Sequence, residues 1–99
     1  MDLDIKGLRV LVTAGANGIG LAIARAFVRE GAKVHTCDVD EMALSALASS
    51  DPDISQTPCD VSDRIAVQKL FGHALAKLGG LDVLVNNAGI AGPTSRWRR

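Results

Sequence analysis

The feature that most constrains the fold of this 99-residue chain is a regular alternation of short β-branched runs with longer stretches of helical period. Residues 8–13 and 33–37 read as strands, 54–58 as a weaker third and 81–85 as a fourth. The fourth run is almost entirely apolar, which predicts a strand buried on both faces. Between the strands, residues 18 to about 30 form an amphipathic stretch. Ile19, Ile23 and Phe27 repeat there at i+4, with Ala22 and Ala26 beside them. Asp40 is placed to cap a second helix carrying Met42, Ala43, Ala46 and Leu47. Ser62 is placed to cap a third helix with a stripe of Val67, Leu70, Phe71, Ala74, Leu75 and Leu78. Gly31 and the pair Gly79-Gly80 are natural helix stops. A βαβαβαβ order predicts a doubly wound α/β fold, four parallel strands in the order 3-2-1-4 with three helices.

Bulk numbers narrow the function classes. With 47% apolar residues the chain can build a core, and its length fits at most one domain. Eleven basic and eleven acidic residues give a net charge of zero, which argues against a dedicated nucleic-acid binder. Three of the basic residues, Arg96, Arg98 and Arg99, lie in the last four positions, so the body is mildly acidic. Five residues around Trp97 are too few for a membrane or nucleic-acid anchor. No run approaches the roughly 18 apolar residues of a membrane span, and the start of the chain resembles no export signal. A cytoplasmic location is expected. The two cysteines, Cys37 and Cys59, fit a reducing compartment. Neither they nor His35 and His73 have metal-ligand spacing, so no metal is expected.

The chemistry-bearing segment lies between the first strand and the first helix. It reads Thr13-Ala14-Gly15-Ala16-Asn17-Gly18-Ile19-Gly20. A helix N-terminus presents unpaired N–H groups and a partial positive charge, so it attracts phosphate. Glycines there let the backbone approach the anion. Eighteen residues past Gly20, at the end of the second strand, stands Asp38. A carboxylate in that place accepts both hydroxyls of an adenosine ribose and repels a 2′-phosphate.

These residues resemble the short-chain dehydrogenase/reductases, whose cofactor motif T-G-x-x-x-G-x-G aligns with residues 13–20. Ala14 stands in place of the family's first glycine. Two further marks match. Asp60-Val61 looks like the acidic dipeptide that contacts the adenine amino group. Asn86-Asn87-Ala88-Gly89 looks like the family's N-N-A-G, in which the asparagines brace the sheet and Ala88-Gly89 lets the backbone pass the cofactor ribose. The resemblance implies a Rossmann-like fold and hydride transfer between a nicotinamide ring and a carbonyl or alcohol. It implies cofactor contacts from Thr13, Gly15, Asn17, Gly18, Ile19, Gly20, Asp38, Asp60, Val61, Asn87, Ala88 and Gly89. Family members that prefer NADP carry a basic residue beside the glycines or just after the second strand. Asn17 and Val39 occupy those places here, so NAD is the expected cofactor.

The resemblance also says what to look for and not find. The family's chemistry uses a serine, a Tyr-x-x-x-Lys pair and an assisting asparagine, all downstream of N-N-A-G. This chain contains no tyrosine and ends ten residues past Gly89. The expectation is a cofactor-binding part, residues 1–93, followed by an atypical basic tail, residues 94–99, with no catalytic residue of its own. Its expected partners are the dinucleotide and either a full-length relative or the remaining part of the fold. The alternative is a standalone, non-catalytic dinucleotide-binding or regulatory module.

Overall fold

The centre of the sheet is β1 (Arg9–Thr13), whose Val10, Leu11 and Val12 are completely inaccessible to solvent. In the computed structural model, residues 5–87 are described. They follow the order β1, α1 (Gly18–Arg29), β2 (Lys33–Asp38), α2 (Glu41–Ser50), β3 (Ile54–Pro58), α3 (Arg64–Leu78) and β4 (Val83–Val85). All pairings are parallel and the strand order is β3-β2-β1-β4, as the alternation predicts. In register, Leu11 faces His35 and Leu84, while His35 faces Ser55.

Side-chain alternation along the strands divides the core into two layers. Val10, Val12, Val34 and Ile54 pack with Ala24 of α1 and Leu47 of α2 on one face. Leu11 and Cys37 pack with Cys59 and with Leu70 and Ala74 of α3 on the other. Two helices therefore cover one face and a single helix the other.

Several expectations need correction. The buried residues of α2 are Leu44 and Leu47, while Met42 is 83% exposed and Ala46 lies on the solvent side. The helix is only ten residues long, and it turns the i, i+3 pair Leu44/Leu47 toward β2 and β3. Ser62 does not cap α3. Asp63 does, its Oδ1 accepting the N–H groups of Ile65 and Ala66 at 3.0 and 3.3 Å. Ser62 is instead held by Asp60, which accepts from both its N–H and its hydroxyl. Within the proposed apolar stripes, Ile19 and Leu75 are exposed; the buried positions are Gly20 and Ala24 in α1 and Leu70, Ala74 and Leu78 in α3. The fourth strand is shorter than residues 81–85, and its Leu84 is about half exposed. None of Val83, Leu84 and Val85 is fully buried, so the strand is not covered on both faces as its apolar run predicts.

Helix ends follow local chemistry. Asp40 caps α2 by accepting the Ala43 N–H at 3.0 Å. Gly79 closes α3 in the left-handed conformation at φ 81°. A fork of hydrogen bonds from Arg9 to Asp82, at 2.9 and 3.0 Å, fastens the entry of β4 to β1 and holds the Asp82 carboxyl down at about 2. Among the described residues, no helix is long and apolar enough to cross a membrane.

Beneath α3 the sheet carries a polar patch. His35 is 1% exposed; its Nδ1 lies 2.6 Å from Ser55 Oγ and its Nε2 2.7 Å from Thr57 Oγ1. Ser55 Oγ donates to the Val34 carbonyl, so it accepts from His35 Nδ1. Thr57 then donates to His35 Nε2 and accepts from His73 Nδ1 at 3.4 Å. The chain of bonds fits a neutral imidazole with its proton on Nδ1. Burial, with His73 and Lys77 nearby, pushes His35 down to about 4.

Candidate dinucleotide-binding site

The residues of interest gather at the C-terminal edge of the sheet, beside the point where β1 is flanked by β2 and β4 and the strand order reverses. Open α/β sheets form their binding crevices there. The turn from β1 into α1 is shaped by close approach. Ala14 takes the left-handed conformation at φ 54°, where a glycine would be unstrained. Its carbonyl accepts the side-chain N–H of Asn87 at 3.2 Å. Thr13 Oγ1 lies 3.4 Å from the Val85 carbonyl and 3.2 Å from Asn86 Oδ1. The two asparagines thus tie β4 to the turn.

Two glycines are required by space. A β-carbon at Gly20 would collide with the Ala14 carbonyl oxygen and stand 2.7 Å from Asn87 Nδ2. One at Gly15 would collide with the Thr36 hydroxyl. Gly18, at φ 62°, is required by conformation instead, since nothing lies within 4 Å of its missing β-carbon.

The helix that follows begins without a side-chain cap. Asn17 makes no capping hydrogen bond, and the first turn of α1 holds no acidic residue. α2 and α3, by contrast, are each capped by an aspartate. Among the described residues, α1 thus starts without the side-chain acceptor that the other two helices have, and an uncapped helix start attracts anions. Asn17, Gly18 and Ile19 are exposed around this end, and Gly20 lies buried behind them.

Across from the turn, Asp38 ends β2. Its Oδ2 accepts the Ala16 N–H at 3.2 Å and its Oδ1 the Asp40 N–H at 3.1 Å. A carboxylate has about four lone-pair positions, so both oxygens can still accept further bonds. Next to it lies a cavity of about 230 Å³, lined by Ala14, Cys37, Asp38, Cys59, Asp60 and Val61 among others. Hydrogen bonds from Ser62 hold the Asp60 carboxyl below the usual carboxylate range. Burial pushes the Cys37 thiol up to about 11 and raises Cys59 as well, so both present neutral sulfur to the cavity.

The structure therefore brings together Thr13, Gly15, Asn17, Gly18, Ile19, Gly20, Asp38, Asp60, Val61 and Asn87 along one edge. Ala88 and Gly89, and the tail from residue 94, lie outside the described residues. Three contributors escaped the sequence reading. Thr36 forms the seat of Gly15 and donates to the Val12 carbonyl at 2.6 Å. Cys37 and Cys59 form cavity walls. Each cysteine immediately precedes a proposed cofactor-contacting aspartate, and that adjacency was the available signal. Among the described residues, no group of three or more His, Cys, Asp or Glu is arranged to hold a metal ion.

A doubly wound parallel sheet with an uncapped helix start behind a glycine-rich turn defines a Rossmann-type nucleotide-binding α/β fold. The chain belongs to the short chain dehydrogenase family, whose model matches residues 8–98. It is 44% identical over 91 residues to momilactone A synthase of Oryza sativa subsp. japonica, covering 90% of this chain and 33% of that protein. It is 41% identical over 97 residues to L-fucose dehydrogenase of Bos taurus, covering 98% and 36%. An apo SCOR enzyme from Clostridium thermocellum superposes with a TM-score of 0.77 at 38% identity, covering 81% of this chain and 33% of that one. The chain thus spans about a third of the length of these relatives. Membership of this oxidoreductase family implies a nicotinamide cofactor, NAD or NADP.

Proposed function

We propose that this chain holds NAD, in preference to NADP, for a hydride transfer between the nicotinamide ring and a carbonyl or alcohol. The observation that carries the reading is the pairing, across one crevice, of an uncapped α1 N-terminus with the Asp38 carboxylate. The two features suit the two ends of an adenosine diphosphate. The free N–H groups of α1 bind the diphosphate. Asp38 accepts the ribose hydroxyls and repels a phosphate at the 2′ position. Asp60 and Val61 border the cavity beside Asp38, where the adenine ring fits.

Gly15 and Gly20 support the reading, because each removes a side chain where the turn must close on its neighbours. Asn87 occupies the Ala14 carbonyl of the turn through its side-chain N–H, which helps to fix the turn's shape. The bound nicotinamide supplies or accepts the hydride. On this reading the chain's own work is binding and orientation. These 99 residues include no tyrosine, the residue type to which the family resemblance assigns the accompanying proton.

The test is a pair of dissociation constants, for NADH and NADPH, measured by fluorescence titration of the folded chain. The expected result is tighter binding of NADH. Equal or tighter binding of NADPH would refute the preference, and a folded chain that binds neither would refute the reading itself.

A further inference from the structure

Resting on that reading, a second role emerges for Asp38 from its contacts with the chain itself. The turn between β1 and α1 is fastened to β2 at two consecutive amides. Gly15 N–H donates to the Cys37 carbonyl at 3.2 Å, which is a backbone tie. Ala16 N–H donates to Asp38 Oδ2 at 3.2 Å, which is a side-chain tie. The other oxygen of Asp38 is held by the Asp40 N–H at 3.1 Å, so the carboxylate is fixed in rotation. Ala16 is only 5% exposed, and its N–H loses its protein acceptor if the carboxylate is removed. Just upstream, Ala14 is held in the left-handed region without the help of a glycine. The turn therefore depends on its fastenings to keep that shape.

We propose that Asp38 positions the glycine-rich turn as well as receiving the ribose, so that one carboxylate carries both the selectivity against a 2′-phosphate and the grip on the diphosphate. Replacing Asp38 with a small residue to admit a 2′-phosphate then also releases Ala16 and loosens the anion site. Removing only the charge, while keeping an oxygen for Ala16 N–H, leaves the turn in place. The coupling gives an order that simple electrostatics does not. If Asp38 acted only as a nearby negative charge, removing it in any way would strengthen binding of an anion at the turn.

The experiment compares the full 99-residue chain with its Asp38→Asn and Asp38→Ala variants, with inorganic pyrophosphate as the probe. The first readout is amide hydrogen exchange without ligand. In Asp38→Ala, Ala16 should exchange at least about tenfold faster than in the original chain, while Gly15 stays within about twofold. In Asp38→Asn, Ala16 should stay slow. The second readout is pyrophosphate affinity by NMR titration. Asp38→Asn should bind as tightly as the original chain or tighter, and Asp38→Ala about tenfold more weakly than Asp38→Asn.

Unchanged Ala16 exchange in a folded Asp38→Ala chain overturns the inference, as does pyrophosphate binding by Asp38→Ala equal to that of Asp38→Asn. If Asp38→Ala does not fold, Asp38→Asn decides. Fast Ala16 exchange or weakened pyrophosphate binding in that variant overturns the inference, and slow exchange with undiminished binding supports it. The exchange readout needs no ligand. A normal exchange pattern in a chain that binds no pyrophosphate therefore overturns the cofactor reading and the grip, while leaving the positioning of the turn demonstrated.

Discussion

Acid should weaken this fold through one buried imidazole. His35 sits at 1% exposure under α3, and both of its ring nitrogens are committed: Nδ1 to Ser55 and Nε2 to Thr57. The groups facing it are Ser55 and Thr57 from β3 and His73 and Lys77 from α3; among the described residues no carboxylate is hydrogen-bonded to it to welcome a positive charge. A second proton would have to enter at Nε2, where Thr57 already donates. Its ring is accordingly pushed down from 6.5 to about 4, first by burial and then by the charges of His73 and Lys77. Between those two values the unfolded chain binds a proton that the folded chain refuses. The contribution is fully present above pH 6.5, is lost as the pH falls toward 4, and levels off below that. The difference of about 2.5 units corresponds to at most about 3 kcal/mol, a sizeable share of the stability of a small domain. The assay is urea unfolding followed by circular dichroism at several pH values from 7 to 4.5, on the original chain and His35→Gln. The original chain should lose stability steadily across that window, and the variant should show a flatter dependence even if it starts lower. Asp51 and Asp82, both held at about 2 by arginine partners, act only below the ordinary carboxylate value of 3.8 and so do not interfere. Equal pH slopes in the two proteins would refute the reasoning.

Three other substitutions probe the site and the helices. Gly20→Ala drives a β-carbon into the Ala14 carbonyl and Asn87, so NADH binding should fall by at least about tenfold by fluorescence titration. Ala14→Gly relieves a left-handed backbone at φ 54°. Because the freer unfolded chain offsets part of that relief, unfolding should become harder by about 0.5–1 kcal/mol in urea titration. Asp63→Ala removes the cap of α3 and should cost about 1 kcal/mol in the same assay, whereas Ser62→Ala should cost less because Ser62 is not the cap.

Much of the fold was legible because it rests on period. The strand order followed from the alternation of strands and helices, and the apolar runs at Val10–Val12 and around Val34 went where a buried parallel sheet requires. What period could not decide was orientation in detail. Met42 has the apolarity of a core residue, yet in a ten-residue helix the Leu44/Leu47 pair wins the inward face. Ser62 and Asp63 are both good caps by type, and the choice fell to Asp63 because Asp60 captures Ser62 first. At the site, the motifs located the turn, Asp38, Asp60 and Asn87. The hydrogen bond from Ala16 to Asp38 and the seat of Gly15 on Thr36 join positions twenty or more residues apart. They exist only once β1 and β2 lie side by side.

The central claim is that the β1–α1 turn and Asp38 together receive the adenosine diphosphate end of NAD. The most direct measurement is a two-dimensional amide NMR spectrum of the labelled chain titrated with NAD. The account predicts shifts concentrated at residues 15–20, at Asp38, at Asp60 and Val61, and at Asn87, with the far edge of the sheet around Asp53 unmoved. A folded chain whose spectrum does not change with NAD, or changes away from the β1–α1 turn, would contradict it.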